Sequence, residues 1–120
     1  MEQFSPSRSG VYRVAHADGI SPSARIRFQP KDALLRAIAA ALRFPDWFGQ
    51  NWDALEDCLT DLSWLDADGY VLVFDDARTG EDFGVLVDVL RSSAEHWAGR
   101  GKRFLALFVD PHGSLPLPPL

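Results

Sequence analysis

The stretch Phe44–Thr60 reads FPDWFGQNWDALEDCLT and joins an aromatic loop to a short helix. Proline at position 45 disfavours helical backbone before it, so a preceding helix is expected to end there. Asn51 belongs to the residue types that cap helix N-termini, and the pattern predicts a helix from there to about Leu62. The apolar positions of this helix share one side, which predicts the face that packs on the core. They are Leu55, Cys58, Leu59 and Leu62.

The opposite side of this helix carries acidic residues without a cation. Asp53 and Asp57 are one turn apart, as are Asp57 and Asp61, and each like-charge pair costs a helix roughly 0.2–0.5 kcal/mol. A face selected for stability would include Lys or Arg, yet Phe44–Ala77 contains neither, against nine Asp and Glu. The acidic face therefore indicates a basic protein partner, attracted by electrostatic steering, and argues against nucleic acid. The alternative is an ordinary solvated surface.

Trp47 and Phe48 lie side by side in the loop before this helix. Two adjacent aromatic side chains rarely both point into a core, which leaves two interpretations. Both pack against the core and a helix, or one is exposed as an anchor for the partner, as aromatic residues often are at interfaces. Trp64 is expected to pack within the protein.

Working outward, the chain of 120 residues suits a single α/β domain of two layers. Apolar and β-branched runs predict strands at Val11–Val14, Tyr70–Phe74 and Phe104–Val109, whereas Arg25–Phe28 is either a strand or merely extended. Helical crossovers between the strands predict a three-stranded parallel sheet with helices mainly on one face.

Two further helices are expected around the sheet. One begins at Pro30, with Asp32 in its first turn, and ends at Phe44. The other is expected to be capped by Thr79 and to stop at Gly99. Residues 1–10 are predicted to be a flexible N-terminus, and residues 111–120 a proline-rich tail.

The composition also bears on location. The first residues are polar and lack the apolar segment of a signal peptide, and no apolar run approaches the ~18 residues of a membrane helix. Cys58 is the only cysteine, so no internal disulfide can form, as is usual in a reducing compartment. The sequence therefore predicts a cytoplasmic protein that does not bind a membrane, with Cys58 buried and unreactive.

Nothing in the sequence resembles a catalytic or metal centre. His16, His96 and His112 are scattered without the spacing of metal ligands. A nucleophile elbow is absent from the sequence as well. A small hydrolase using Asp53 and Asp57 as paired carboxylates is the less favoured alternative, because a convex helix face offers no cleft. We therefore expect a binding protein without catalytic residues, metal or cofactor.

The stretch Phe44–Thr60 resembles the core motif of the barstar family in its Pro, Gly, Asn, Asp-Ala-Leu and Asp-Cys-Leu positions. A looser likeness extends over Val11–Val109. The resemblance implies a barstar-like fold and an intracellular inhibitor of a secreted bacterial ribonuclease, whose acidic helix and preceding loop cover the enzyme's active site. It further implies that Asp57 takes the place of a substrate phosphate, with Asp53 as a supporting acid.

At several other positions the sequence differs from the family pattern. Trp47 and Phe48 stand where the family pattern has tyrosines, and Glu56 stands where it has Trp. An interface acid on the late helix falls on Ser92, Glu95 or His96. The identity of the partner therefore stays open. It is a ribonuclease, another nuclease toxin, or a different protein that the chain binds as an immunity or regulatory module. The predicted partner-binding residues are Trp47, Phe48, Gly49, Asn51, Asp53, Glu56, Asp57 and Asp61.

Overall fold

Four parallel strands form the sheet at the centre of the protein, whose computed structural model describes residues 9–65 and 67–120. The strand order is β1-β4-β3-β2. The strands are β1 (Gly10–Val14), β2 (Ala24–Arg27), β3 (Gly69–Asp75) and β4 (Arg103–Val109). The central β4 is buried at its five middle residues and β3 at four of its seven, as expected from their mainly apolar sequences.

The prediction of three strands is wrong, because the segment that starts at Ala24 is a strand that pairs in parallel with β3. Ala24 and Ile26 are buried while Arg25 and Arg27 are exposed, which is the alternation of an edge strand with one covered face. Four residues carry too weak a pattern to distinguish a strand from extended chain by sequence.

Three helices pack on one face of the sheet, as predicted. They are α1 (Lys31–Ala41), α2 (Trp52–Leu59) and α3 (Glu81–Ala98). Their apolar sides share one core with alternate side chains of the central strands, among them Tyr70, Leu72, Phe74, Phe104, Ala106 and Phe108. Among the described residues no helix is both long enough and apolar enough to cross a membrane.

Three helix boundaries differ from the prediction. α1 ends at Ala41 with Leu42 as its C-cap, before the predicted Phe44. α2 ends at Leu59, before the predicted Leu62, which itself adopts a left-handed backbone with φ of 48°. α3 begins after Gly80, not after a Thr79 cap, and no side chain caps its N-terminus. Gly80 has φ of 152°, a conformation that glycine adopts without strain, so backbone geometry and not a hydroxyl starts this helix.

The last ten residues, 111–120, pack against the sheet edge formed by β1. Leu115 and Leu117 are buried, and Arg13 of β1 exchanges main-chain hydrogen bonds with this segment through its N–H and its carbonyl. Asp110 fixes the start of the segment by accepting from the N–H groups of Ser114 and Leu115 at 3.1 and 2.8 Å. Of the predicted flexible N-terminus 1–10, residues 1–8 lie outside the described part of the chain.

This segment covers the sheet edge at Arg13 of β1. Within the described residues 115–120, the three N–H groups all have acceptors, and the three prolines have no N–H. Residues 115–120 therefore offer no free N–H group for pairing with another strand.

Asp110→Ala is expected to lower the melting temperature, because Ser114 and Leu115 lose a buried acceptor. The N–H of Leu115 is the main cause that holds the pKa of the Asp110 carboxyl below its ordinary 3.8. A group whose pKa is lowered by folding contributes stability above its unfolded-state pKa and loses it as the pH falls through the folded-state pKa. The difference in melting temperature between wild type and variant should therefore be constant from about pH 7 to 5 and shrink below about pH 4.

Thermal melts from pH 7 to 2 would measure this difference, with the exposed loop variant Asp68→Ala as the control. A difference that stayed the same down to pH 2 would contradict the assigned role of the Asp110 carboxylate.

Candidate partner-binding surface

The loop 44–51 is tied to α2 by Asn51. The Asn51 Oδ1 accepts from the N–H of Ala54 at 2.8 Å, which confirms the predicted helix cap. Its Nδ2 donates to the carbonyl of Gly49 at 3.2 Å, so the same side chain also holds the loop. Both Gly49 and Asn51 are exposed, and they set the angle at which the loop meets the helix.

The two adjacent aromatic residues of this loop point in opposite directions. Trp47 is 64% exposed, whereas Phe48 is 9% exposed and belongs to the core. The Phe48 ring packs edge-on against Phe44, with ring centroids 4.9 Å apart. Of the two candidate anchors, only Trp47 exposes its side chain to solvent. Trp64 packs within the protein, where its Nε1 donates to the Leu42 carbonyl at 2.9 Å.

The acidic residues of α2 lie on its outer side without cations. Asp53 and Asp57 are exposed, and neither forms an ion pair within the described part of the chain. Asp61 is also exposed but lies beyond the end of α2, where its Oδ1 accepts from the N–H of Ser63 at 3.3 Å. Asp61 therefore lies outside α2, and the like-charge pair within the helix is Asp53 with Asp57.

Two other acids of the stretch Phe44–Ala77, which contains no Lys or Arg, are paired with arginines of β2. Asp75 forms a bidentate pair with Arg25, whose side chain donates at 2.7 and 2.9 Å. This contact lowers the pKa of the Asp75 carboxyl. Asp76 pairs with Arg27 at 3.2 Å. In contrast to these two acids, Asp53 and Asp57 on α2 have no ion pair among the described residues.

Glu56 differs from its acidic neighbours because it contacts α3. Its Oε2 accepts from the Ser92 hydroxyl at 2.8 Å, and both residues are half-buried. Among the three candidates on the late helix, Ser92 is therefore the one placed beside the acidic face. Glu95 lines a cleft next to β1, and His96 packs edge-on against Trp97.

Buried contacts on the inner side of α2 hold this helix in place. Leu55, Cys58 and Leu59 are fully buried, and the Nε1 of Trp97 on α3 donates to the Leu59 carbonyl at 2.7 Å. This hydrogen bond satisfies a carbonyl at the C-terminal end of α2. The sequence did not predict this hydrogen bond, because Trp97 follows the apolar pattern of α3 and nothing in that pattern indicates a partner for its N–H. The acids are therefore presented on a fixed helix.

Cys58 is expected to react slowly with thiol reagents in the native protein. Its side chain is fully buried on the inner side of α2, which confirms the predicted burial. Burial raises the pKa of the thiol, and the nearby Asp61 and Asp57 raise it further, so little reactive thiolate forms. Labelling at pH 7.5 should be orders of magnitude slower in buffer than in denaturant. Equal rates in the two conditions would refute this expectation.

Comparison with known proteins assigns the chain to a family. A family model described as Barstar (barnase inhibitor) matches residues 25–109. The chain belongs to the barstar family. The comparison with curated proteins found no match. The barstar match runs from β2 to the end of β4 and includes the loop 44–51 and all three helices, but neither β1 nor residues 111–120.

Proposed function

We propose that this protein inhibits a basic ribonuclease by covering the enzyme's active site with α2 and the loop 44–51. Membership of the barstar family supports an inhibitor of a barnase-type ribonuclease. The observation that carries the proposal is the exposed Asp57 on a capped, firmly packed helix, with no cation of the described chain paired to it. Such a carboxylate is available to the cations of another protein.

The chemistry follows from the similarity of a carboxylate to a phosphate. A ribonuclease active site holds cations for its anionic substrate, and a carboxylate placed among them forms charge-assisted hydrogen bonds. Asp57 makes this contact, and Asp53 adds to the negative potential one turn away. Asp61 contributes more weakly from beyond the helix. The rigid mounting of α2 reduces the entropy lost on binding.

The loop 44–51 adds an apolar contact to the charged contact made by Asp57. Trp47 presents a large aromatic surface to the partner, whereas Phe48 fixes the loop from the core side. Gly49 and Asn51 hold the loop at the N-terminus of α2. The inhibitor acts in the cytoplasm, a location consistent with its single reduced thiol.

Capture from the native organism tests the proposal. The wild-type protein and Asp57→Asn are immobilised side by side, and lysate and culture medium are passed over both. Asp32→Asn is a matched control, because Asp32 is also an exposed acid in a helix but lies on α1. Bound proteins are identified by mass spectrometry and assayed for RNA hydrolysis.

A ribonuclease retained by the wild type and by Asp32→Asn, but lost from Asp57→Asn, is the expected result. A protein without nuclease activity that shows the same dependence on Asp57 would instead support an immunity or regulatory module. Retention of no ribonuclease, or equal retention by Asp57→Asn, would contradict the proposed function.

A further inference from the structure

The last turn of α2 is stabilised by neutral hydrogen-bond donors. The Thr60 hydroxyl donates to the Glu56 carbonyl at 2.8 Å, and the Nε1 of Trp97 donates to the Leu59 carbonyl at 2.7 Å. The turn itself contains no basic residue. Because a helix of eight residues is too short to be stable by itself in water, such contacts decide whether its last turn stays ordered.

The neutrality of these donors matters for the acidic side of the helix. Lys and Arg often satisfy the last carbonyls of a helix, but here they would bring a positive charge close to Asp57. Asp57 lies only two residues before Leu59, the last residue of α2. The indole N–H of Trp97 satisfies the Leu59 carbonyl and leaves the carboxylate its charge.

Lys102 contacts the indole ring of Trp97. Its Nζ lies above this ring, 5.5 Å from the centroid, and 5.8 Å from the centroid of the Tyr70 ring. Both distances are within the ~6 Å of a cation–π contact. The same Nζ donates to the Ala67 carbonyl at 2.8 Å, and the Lys102 N–H donates to the Trp97 carbonyl at 2.9 Å. Both the side chain and the backbone of Lys102 are therefore fixed beside the indole.

A cation above an aromatic ring strengthens the ring's N–H group as a donor. The positive charge attracts electron density from the ring, which leaves the N–H more positive. Lys102 belongs to the connection between α3 and β4, not to α2. Its charge thus acts on the Leu59 carbonyl indirectly, through the indole of Trp97.

We propose that Lys102 is a positioning residue for the acidic helix, because through the Trp97 indole it orders the turn of α2 that carries Asp57. Trp97 is only 7% exposed, so it offers a partner little surface and acts through α2. The consequence for a ribonuclease partner rests on the proposed function, whereas the ordering of α2 does not.

NMR of the free protein tests this role with Lys102→Met, which keeps an unbranched side chain and removes the charge. The indole N–H resonance of Trp97 should move upfield as its hydrogen bond weakens. The amides of Thr60 and Leu62, which bond to carbonyls of the last turn, should exchange about two- to fivefold faster, as for loss of an exposed cation–π contact. A purely structural role elsewhere would lower the melting temperature without changing these two amides.

Three further variants show whether the effect passes through the indole. Lys102→Arg keeps a cation and should restore both readouts. Arg91→Met removes an exposed cation of α3 and should change neither. In a Trp97→Phe background, which has a ring without an N–H, Lys102→Met should have little further effect on Thr60 and Leu62.

An unchanged indole resonance, or unchanged exchange of Thr60 and Leu62, in Lys102→Met would overturn the proposal. An equal effect of this substitution with and without the indole N–H would do so too, and the first two readouts decide even if Trp97→Phe did not fold.

The captured ribonuclease tests the consequence for binding. Its Kd should rise about two- to fivefold with Lys102→Met and stay unchanged with Arg91→Met. A Kd for Lys102→Met equal to wild type would overturn the link to binding. Failure to capture a ribonuclease, with the exchange results as expected, would overturn the inhibitor and leave the ordering of α2 by Lys102 standing.

Discussion

Asp57→Ala is expected to weaken binding of the captured ribonuclease by about 2–5 kcal/mol, roughly 30- to 5,000-fold in Kd. Asp57 is exposed on the outer side of α2, and no cation of the described chain competes for its carboxylate. Removing it deletes charge-assisted hydrogen bonds and leaves the partner's cations buried and unpaired in the complex. Calorimetry with wild type and variant would measure the loss.

The fold should tolerate this substitution. Among the described residues, the Asp57 side chain makes no ion pair that would be lost. Its removal relieves one like-charge pair with Asp53, worth roughly 0.2–0.5 kcal/mol. Asp61→Ala should cost less affinity, since Asp61 lies beyond the helix end. Asp32→Ala is the matched control and should bind as wild type. A Kd for Asp57→Ala within twofold of wild type would refute the role of Asp57.

Trp47→Ala is expected to lose about 2 kcal/mol or more of binding, at least roughly 30-fold in Kd, without loss of stability. Trp47 is 64% exposed in the free protein. Covering its ring in a complex removes a large apolar surface from water, whereas the folded protein alone gains little from it. Thermal melts of the variant should match wild type, since exposed substitutions usually change stability by less than about 0.5 kcal/mol.

Phe48→Ala provides the matched contrast. Phe48 is buried against Phe44, so truncation leaves a cavity and is expected to cost about 3–5 kcal/mol of folding free energy. Trp47→Ala should thus lose affinity for the partner, whereas Phe48→Ala should lose folding stability. If Trp47→Ala bound as tightly as wild type, the loop would not be part of the interface.

Local sequence patterns predicted much of the fold. The start of α2 was predictable because Asn51 caps it through its own side chain, and the burial of Cys58 followed from helical periodicity. β3 and β4 were visible as apolar runs. β2 was ambiguous because only two of its residues are buried, and the end of α2 was missed because Leu62, although buried, lies past the helix.

The binding surface was predictable only in part. The acids and the aromatic pair could be named from the motif, because their positions along the chain are fixed. Which aromatic residue turns outward depends on packing against Phe44, and the bond between Glu56 and Ser92 depends on how α2 and α3 meet. Such contacts join distant segments and leave no periodic signal in the sequence.

Competition with a mononucleotide tests occlusion of the active site most directly. The captured ribonuclease is titrated with the protein at rising concentrations of a mononucleotide that occupies its phosphate site. If Asp57 enters that site, this protein and the mononucleotide exclude each other. The apparent Kd of the protein for the ribonuclease should then rise linearly with the mononucleotide concentration. An apparent Kd unchanged at saturating mononucleotide would show that both bind together, and would contradict an inhibitor that covers the active site.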